Sequence, residues 1–91
     1  MVRLDLSVCS LYVDGICIKD SKILLVKRNC EPFKGFWHVV GGQVQAKETF
    51  KEALKREYLE ETGLDVKISD ILTHRIEKTF DRLKLIVVLK V

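Results

Sequence analysis

One segment of this 91-residue chain carries strong local instructions, and it is a single helix set between two β-rich blocks. Thr49-Phe50-Lys51-Glu52 has the pattern of a capping box, in which the Thr49 hydroxyl accepts from the third helical amide and Glu52 reaches back to the Thr49 amide. The run from Ala53 to Glu61 is made mostly of good helix formers, and Gly63 stands where a left-handed C-terminal cap belongs. On either side, residues 4–40 and 65–91 are rich in Val, Ile, Leu and aromatics with short polar breaks. They predict strands at 4–13, 15–19, 22–28, 36–40, 65–75 and 83–90, with a tight turn at Asp20-Ser21, a loop from Asn29 to Gly35 and a second hairpin turn at Asp81-Arg82. Such a chain is one small domain of β-rich, helix, β-rich plan, and its length leaves no room for a second.

Composition narrows the class. Hydrophobic residues are 47% and charged residues 32%, enough for a core and against disorder. The longest apolar run, Leu85-Ile86-Val87-Val88-Leu89, is far too short for a membrane span, so no membrane partner is expected. Met1-Val2-Arg3-Leu4-Asp5 lacks the apolar core of a signal peptide. Cys9, Cys17 and Cys30 are an odd set without a C-x-x-C pair, which fits reduced thiols, read here as small buried hydrophobes, and a cytoplasmic location. The net charge of +3 is spread without a basic run, so nucleic acid is not expected as a partner.

The helix places its charges unusually. At about 100° per residue, with Phe50 as origin, Ala53, Leu54 and Tyr58 fall within roughly 80° on either side and form the core-facing stripe. Glu57 and Glu61 fall within about 20° of the same origin, and Glu60 lies at the edge of the arc, about 80° away. Carboxylates on such a face repel one another and are costly to desolvate unless something neutralises them. A solvated acidic face is one reading; an oxygen-seeking divalent cation is the other. Just upstream, Phe36-Trp37-His38-Val39-Val40 runs into Gly41-Gly42, read as a paired glycine turn where the backbone can approach a metal or phosphate.

Gly42, five residues, Glu48, seven residues and then Arg56-Glu57-Tyr58-Leu59-Glu60-Glu61-Thr62-Gly63-Leu64 resemble the Nudix box, here at residues 42–64. Seven fixed positions match: Gly42, Glu48, Arg56, Glu57, Glu60, Glu61 and Gly63. Ile23-Leu24-Leu25-Val26-Lys27-Arg28 and Gly35-Phe36-Trp37 are similar to the segments that usually precede the box, so the likeness runs over residues 13–64. Three positions depart from the usual pattern: Tyr58 for an aliphatic residue, Val40 for a proline and Lys47 for a glycine. These bear on loop geometry and substrate preference and leave the charged positions intact.

The resemblance implies an α/β/α sandwich with a mixed β-sheet, the box forming a loop–helix–loop, and a chain that stops before the usual C-terminal strand and helix. Such a chain is a fragment, or a minimal form whose open face is covered by a partner such as a second copy in a homodimer. It implies a Mg²⁺- or Mn²⁺-dependent pyrophosphohydrolase acting on a nucleotide-type small molecule, with Glu57, Arg56, Glu60 and Glu61 as catalytic positions. Glu57, Glu60, Glu61 and the Gly41 carbonyl would hold metal, Glu48 would support them, and Glu57 or a downstream acid would be the general base. Arg28 and Gly42 are the candidate substrate contacts, and Arg56 would orient its neighbours, lying four residues after Glu52 and four before Glu60. The substrate implied is a nucleoside diphosphate linked to another group, with nucleoside triphosphates and nucleotide sugars foremost. A Nudix-fold module that binds a nucleotide or a protein without turnover is the alternative; three clustered acids argue against it.

Overall fold

The computed structural model describes residues 8–78 and 82–91. Its frame is a four-stranded mixed sheet of β1 (Val8–Ile16), β6 (Gly41–Gln43), β7 (Ile71–Lys78) and β8 (Arg82–Lys90), in the order β6-β1-β8-β7. β6 runs antiparallel to β1, β8 parallel to β1, and β7 antiparallel to β8. Two short antiparallel ladders complete the strands: β2 (Ile18–Lys19) with β3 (Lys22–Ile23), and β4 (Val26–Lys27) with β5 (Trp37–His38). The one helix among the described residues is α1 (Phe50–Thr62). It is also the longest helix there, and none is long and apolar enough to cross a membrane.

Period-2 alternation gives the sheet two faces of different character. Val13, Val87 and Leu89 turn towards α1 and meet Ala53, Leu54 and Tyr58, all in one buried cluster with Val40. The alternate residues, Tyr12, Asp14, Lys84 and Ile86 with Arg75 and Glu77 of β7, turn the other way and line an open cleft. At the crossing of β1 and α1, a Cβ on Gly15 would stand 2.7 Å from the Tyr58 ring and hydroxyl and 3.1 Å from Leu54, so only glycine admits this packing.

The helix forms as its sequence signals require. The Thr49 hydroxyl accepts from the Glu52 amide at 3.1 Å, Glu52 accepts from the Thr49 amide at 2.9 Å, and Gly63 closes the helix at φ 75°. Asp20 and Ser21, at φ 53° and 60°, make the two-residue turn between β2 and β3.

The strands differ from the expected spans in register-dependent ways. The first continues through Gly15 and Ile16 because β8 pairs with it along its whole length; residues 4–7 of its expected span lie outside the described residues. The expected strand 22–28 is broken at Leu24-Leu25 between two separate ladders. The expected strand 65–75 begins only at Ile71, although Ser69 and Asp70 already exchange backbone bonds with Lys90. Gly41-Gly42 is not a turn but part of edge strand β6, paired to Asp14 and Val13. Asp81 of the expected second turn is outside the described residues. Cys9 and Cys30 are exposed and Cys17 half-buried rather than all being core residues, and Phe36 and Trp37 are both exposed.

Tyr58 is fully buried, and among the described residues its hydroxyl has no hydrogen-bond partner. Burial pushes its phenol pKa up to about 12, keeping it neutral, with Cys17 and Glu61 adding to the shift. A buried hydroxyl without a partner costs stability, so Tyr58→Phe is expected to stabilise the domain by about 1 kcal/mol. Thermal unfolding of the two proteins checks this; a fall of similar size would mean that the hydroxyl is satisfied in solution.

Candidate active site

Arg56 is the hub of the site. Its Nε donates to Glu48 Oε2 at 2.6 Å and its Nη2 to Glu48 Oε1 at 3.1 Å, a two-pronged grip on one carboxylate. Nη1 donates to Glu57 Oε1 at 2.9 Å and to the Glu60 carboxylate at 3.3 and 3.4 Å. Nη2 also donates to the Gln43 carbonyl at 3.1 Å, tying α1 to the edge strand β6. Of the two neighbours that the spacing names, Arg56 contacts Glu60, and its other carboxylate partners are Glu48 and Glu57. Glu52 is instead used in the cap, and Glu48 reaches Arg56 because its loop folds back, with the Gln45 amide donating to Glu48 Oε1 at 2.8 Å. Hydrogen bonds from Arg56 and from the Gln45 amide hold the Glu48 carboxyl below its ordinary pKa.

The carboxylates of α1 do not share one environment. The Glu57 side chain is 13% exposed and that of Glu60 56%. Glu57 is seated so closely on β6 that any Cβ at Gly42 would collide with its carboxylate. Glu61 lines the cleft and, among the described residues, has no ion-pair partner. Burial raises its pKa, Glu57 and Glu60 add to the rise, and His38 and Arg28 oppose it. The α1 end is therefore an acid cluster whose most buried charges are satisfied by Arg56 and whose remaining carboxylate is left under repulsion.

The ladder also fixes the direction of the Gly41 carbonyl. Gly15 donates to the Val40 carbonyl and Val44 to that of Leu11, which sets the hydrogen-bonded pairs of β1 with β6. Gly41 and Gln43 fall between them, so their carbonyls point away from β1 at the open edge. The Gln43 carbonyl meets Arg56 there, and the Gly41 carbonyl points the same way, on the α1 side of the edge.

Among the described residues no three carboxylate, imidazole or thiol groups already converge as a finished metal site. The reason is visible: Glu57 and Glu60 are both drawn onto Arg56. The donor set nevertheless fits a hard divalent cation, being all oxygen, with Glu61 unpaired and its charge disfavoured until a cation arrives.

A cleft of about 580 Å³ is lined by Glu61, Gly41 and Gly42 together with Asp14, Arg75, Glu77 and Lys84. Arg28, just after β4, lines it too, and shares with Glu60 and Glu61 a smaller recess. Its Nε is anchored on the Pro32 carbonyl at 2.7 Å and its Nη2 contacts Cys30 Sγ at 3.6 Å. Asp14, Arg75 and Glu77 belong to the same cleft. Asp14 and Arg75 are 61 residues apart and meet only through the β1–β8–β7 ladder, so no local spacing signals them.

Fold and box together define the class: the chain belongs to the Nudix family, whose domain model matches residues 11–88. Among its relatives, an ADP-ribose pyrophosphatase of Methanocaldococcus jannaschii is 53% identical over 63 residues, which is 69% of this chain and 37% of that protein. A CTP pyrophosphohydrolase of Escherichia coli is 34% identical over 67 residues, covering 71% of this chain and 50% of that one. The solution structure of the E. coli ORF135 protein superposes with a TM-score of 0.83 at 26% identity, over 93% of this chain and 61% of that chain. The chain thus spans about a third to a half of the length of these two curated relatives.

Proposed function

We propose that this chain carries the catalytic helix of a divalent-metal-dependent pyrophosphohydrolase. The bond cleaved is a diphosphate bond in a nucleoside diphosphate linked to another group. The observation that carries this reading is the Arg56 hub, which holds Glu48, Glu57 and Glu60 against the β6 edge while leaving Glu61 unpaired in the cleft. Glu57, Glu60, Glu61 and the Gly41 carbonyl would hold Mg²⁺ or Mn²⁺. When bound, the metal supplies charge neutralisation at the phosphate oxygens and a water of lowered pKa.

The chain's own residues do the positioning. Arg56 holds Glu57 and Glu60 beside the β6 edge, and Glu48 in turn holds Arg56. Gly42 leaves room for Glu57 at the edge. Arg28, which lines a recess with Glu60 and Glu61, would take a phosphate oxygen of the substrate. Phosphoryl chemistry relies chiefly on such positioning and charge, which is why no side-chain nucleophile is required.

The relative named ADP-ribose pyrophosphatase supports a nucleotide sugar as substrate, and the one named CTP pyrophosphohydrolase supports a nucleoside triphosphate. A product assay over both classes with Mg²⁺ or Mn²⁺ tests the reading: at least one nucleoside diphosphate derivative is expected to yield a nucleoside monophosphate. Clear ligand binding without product from any of them would favour a binding module instead.

A further inference from the structure

Among the described residues that line the cleft, the rings are those of Tyr12, Phe33 and His38. Tyr12 is covered by Lys84, whose Nζ lies 4.8 Å from the ring centre, and the His38 ring is tied to the Val39 carbonyl. Phe33 is different. It is 67% exposed and stands outside the buried core cluster. Its ring packs on Phe36 in a T-shaped contact with 6.0 Å between centres, which occupies no more than one of its two faces.

The backbone of Phe33 makes that open ring a cost. It adopts φ 65°, a left-handed conformation that strains a residue with a Cβ and suits glycine. The loop needs only the backbone there: the Phe36 amide donates to the Phe33 carbonyl at 3.1 Å, the Gly35 amide to that of Arg28 at 2.8 Å and the Arg28 amide to that of Phe36 at 2.9 Å. A bulky apolar residue at such a position costs stability that neither the turn nor the core returns, and strain of this kind collects at ligand sites. Arg28 ties the ring to the phosphate chemistry. Its Nε donates to the Pro32 carbonyl at 2.7 Å, so the guanidinium proposed for a substrate phosphate is held one residue from Phe33. In a nucleotide, a single ribose likewise joins the 5′-phosphate to a flat aromatic base. We infer that Phe33 is a specificity-determining residue that stacks on the base of the nucleotide whose phosphate Arg28 takes. The inference rests on the nucleotide reading of the site and extends it from the diphosphate to the base. Stacking uses the π-face that all bases share, so the site requires a base without choosing strongly among bases.

Calorimetric titration with Mg²⁺ tests this apart from turnover, because the probes AMP, CMP and ribose 5-phosphate contain no diphosphate bond. The wild-type protein is expected to bind AMP and CMP each about tenfold tighter than ribose 5-phosphate, the scale of one stacked base. Phe33→Gly suits the left-handed backbone, so the loop keeps its shape while the ring is lost. It should bring both ratios to within about twofold and leave the affinity for ribose 5-phosphate unchanged. Phe33→Trp keeps a ring at the position and should keep the preference of the wild type. Equal affinities for the three probes in the wild type, unchanged ratios in Phe33→Gly, an equal loss for ribose 5-phosphate, or a Phe33→Trp protein that behaves like Phe33→Gly would overturn the inference. A base preference carried by Phe33 without hydrolysis in the product assay would leave the inference standing and remove only the catalytic reading.

Discussion

Glu57→Gln and Glu61→Gln are each expected to abolish Mg²⁺-dependent hydrolysis while leaving the fold intact. Gln keeps the shape and removes the charge, so the change isolates the electrostatic role. Glu61 has no ion-pair partner among the described residues, and its charged form is disfavoured by burial and by Glu57, so neutralising it relieves repulsion in the metal-free protein. Its melting temperature should therefore hold or rise. Glu57 accepts from Arg56, and its loss leaves Arg56 still gripped by Glu48 through two bonds. Losing one preorganised charge at a phosphoryl-transfer site costs on the order of a hundredfold or more in rate. Steady-state turnover beside thermal unfolding separates the two effects, and retained turnover in both variants would contradict the site assignment.

A second large effect is expected at a residue without a side chain. Gly42→Ala introduces a Cβ into the space held by the Glu57 carboxylate. The obstacle is the free end of a flexible side chain, so the backbone need not move and stability should change by no more than about 1 kcal/mol. Glu57 must then swing off its seat on β6 and release Arg56 Nη1, and displacement of a reacting group by about an ångström costs of the order of a hundredfold in rate. The comparison with Glu57→Gln is informative: the same activity is lost, by displacement in one case and by neutralisation in the other. An active Gly42→Ala protein with a normal melting temperature would show that the close seat of Glu57 on β6 has no role in turnover.

These predictions lean on parts of the molecule that were unequally legible in the sequence. α1 was readable residue by residue because its signals are local: Thr49 and Glu52 close the box within four positions, and Gly63 adopts the left-handed cap. The helical angles also placed Glu57 correctly on the buried side, whereas Glu61, expected on the same arc, is exposed. What lay beyond reading was everything set by strand register. Gly41-Gly42 looks like a turn in isolation and becomes an edge strand because β1 pairs with it. Glu48 sits outside the helix, so helical spacing could not reveal that it is the principal partner of Arg56. Asp14 and Glu77 come from strands far apart in sequence, joined through a parallel ladder that no local pattern specifies. The Tyr58 substitution was visible, but the lack of a partner for its hydroxyl depends on how closely Gly15 lies over it.

The central claim is that the acids on α1 hydrolyse a diphosphate bond with the help of a divalent cation. It is tested most directly by monitoring nucleoside monophosphate release from ADP-ribose and from nucleoside triphosphates by the wild-type protein and by a Glu57→Gln, Glu61→Gln double variant. Each is assayed with Mg²⁺ or Mn²⁺ and again with excess chelator. The account predicts release by the wild-type protein with metal, none with chelator and none by the double variant. Release that survives the chelator or the double substitution would contradict it.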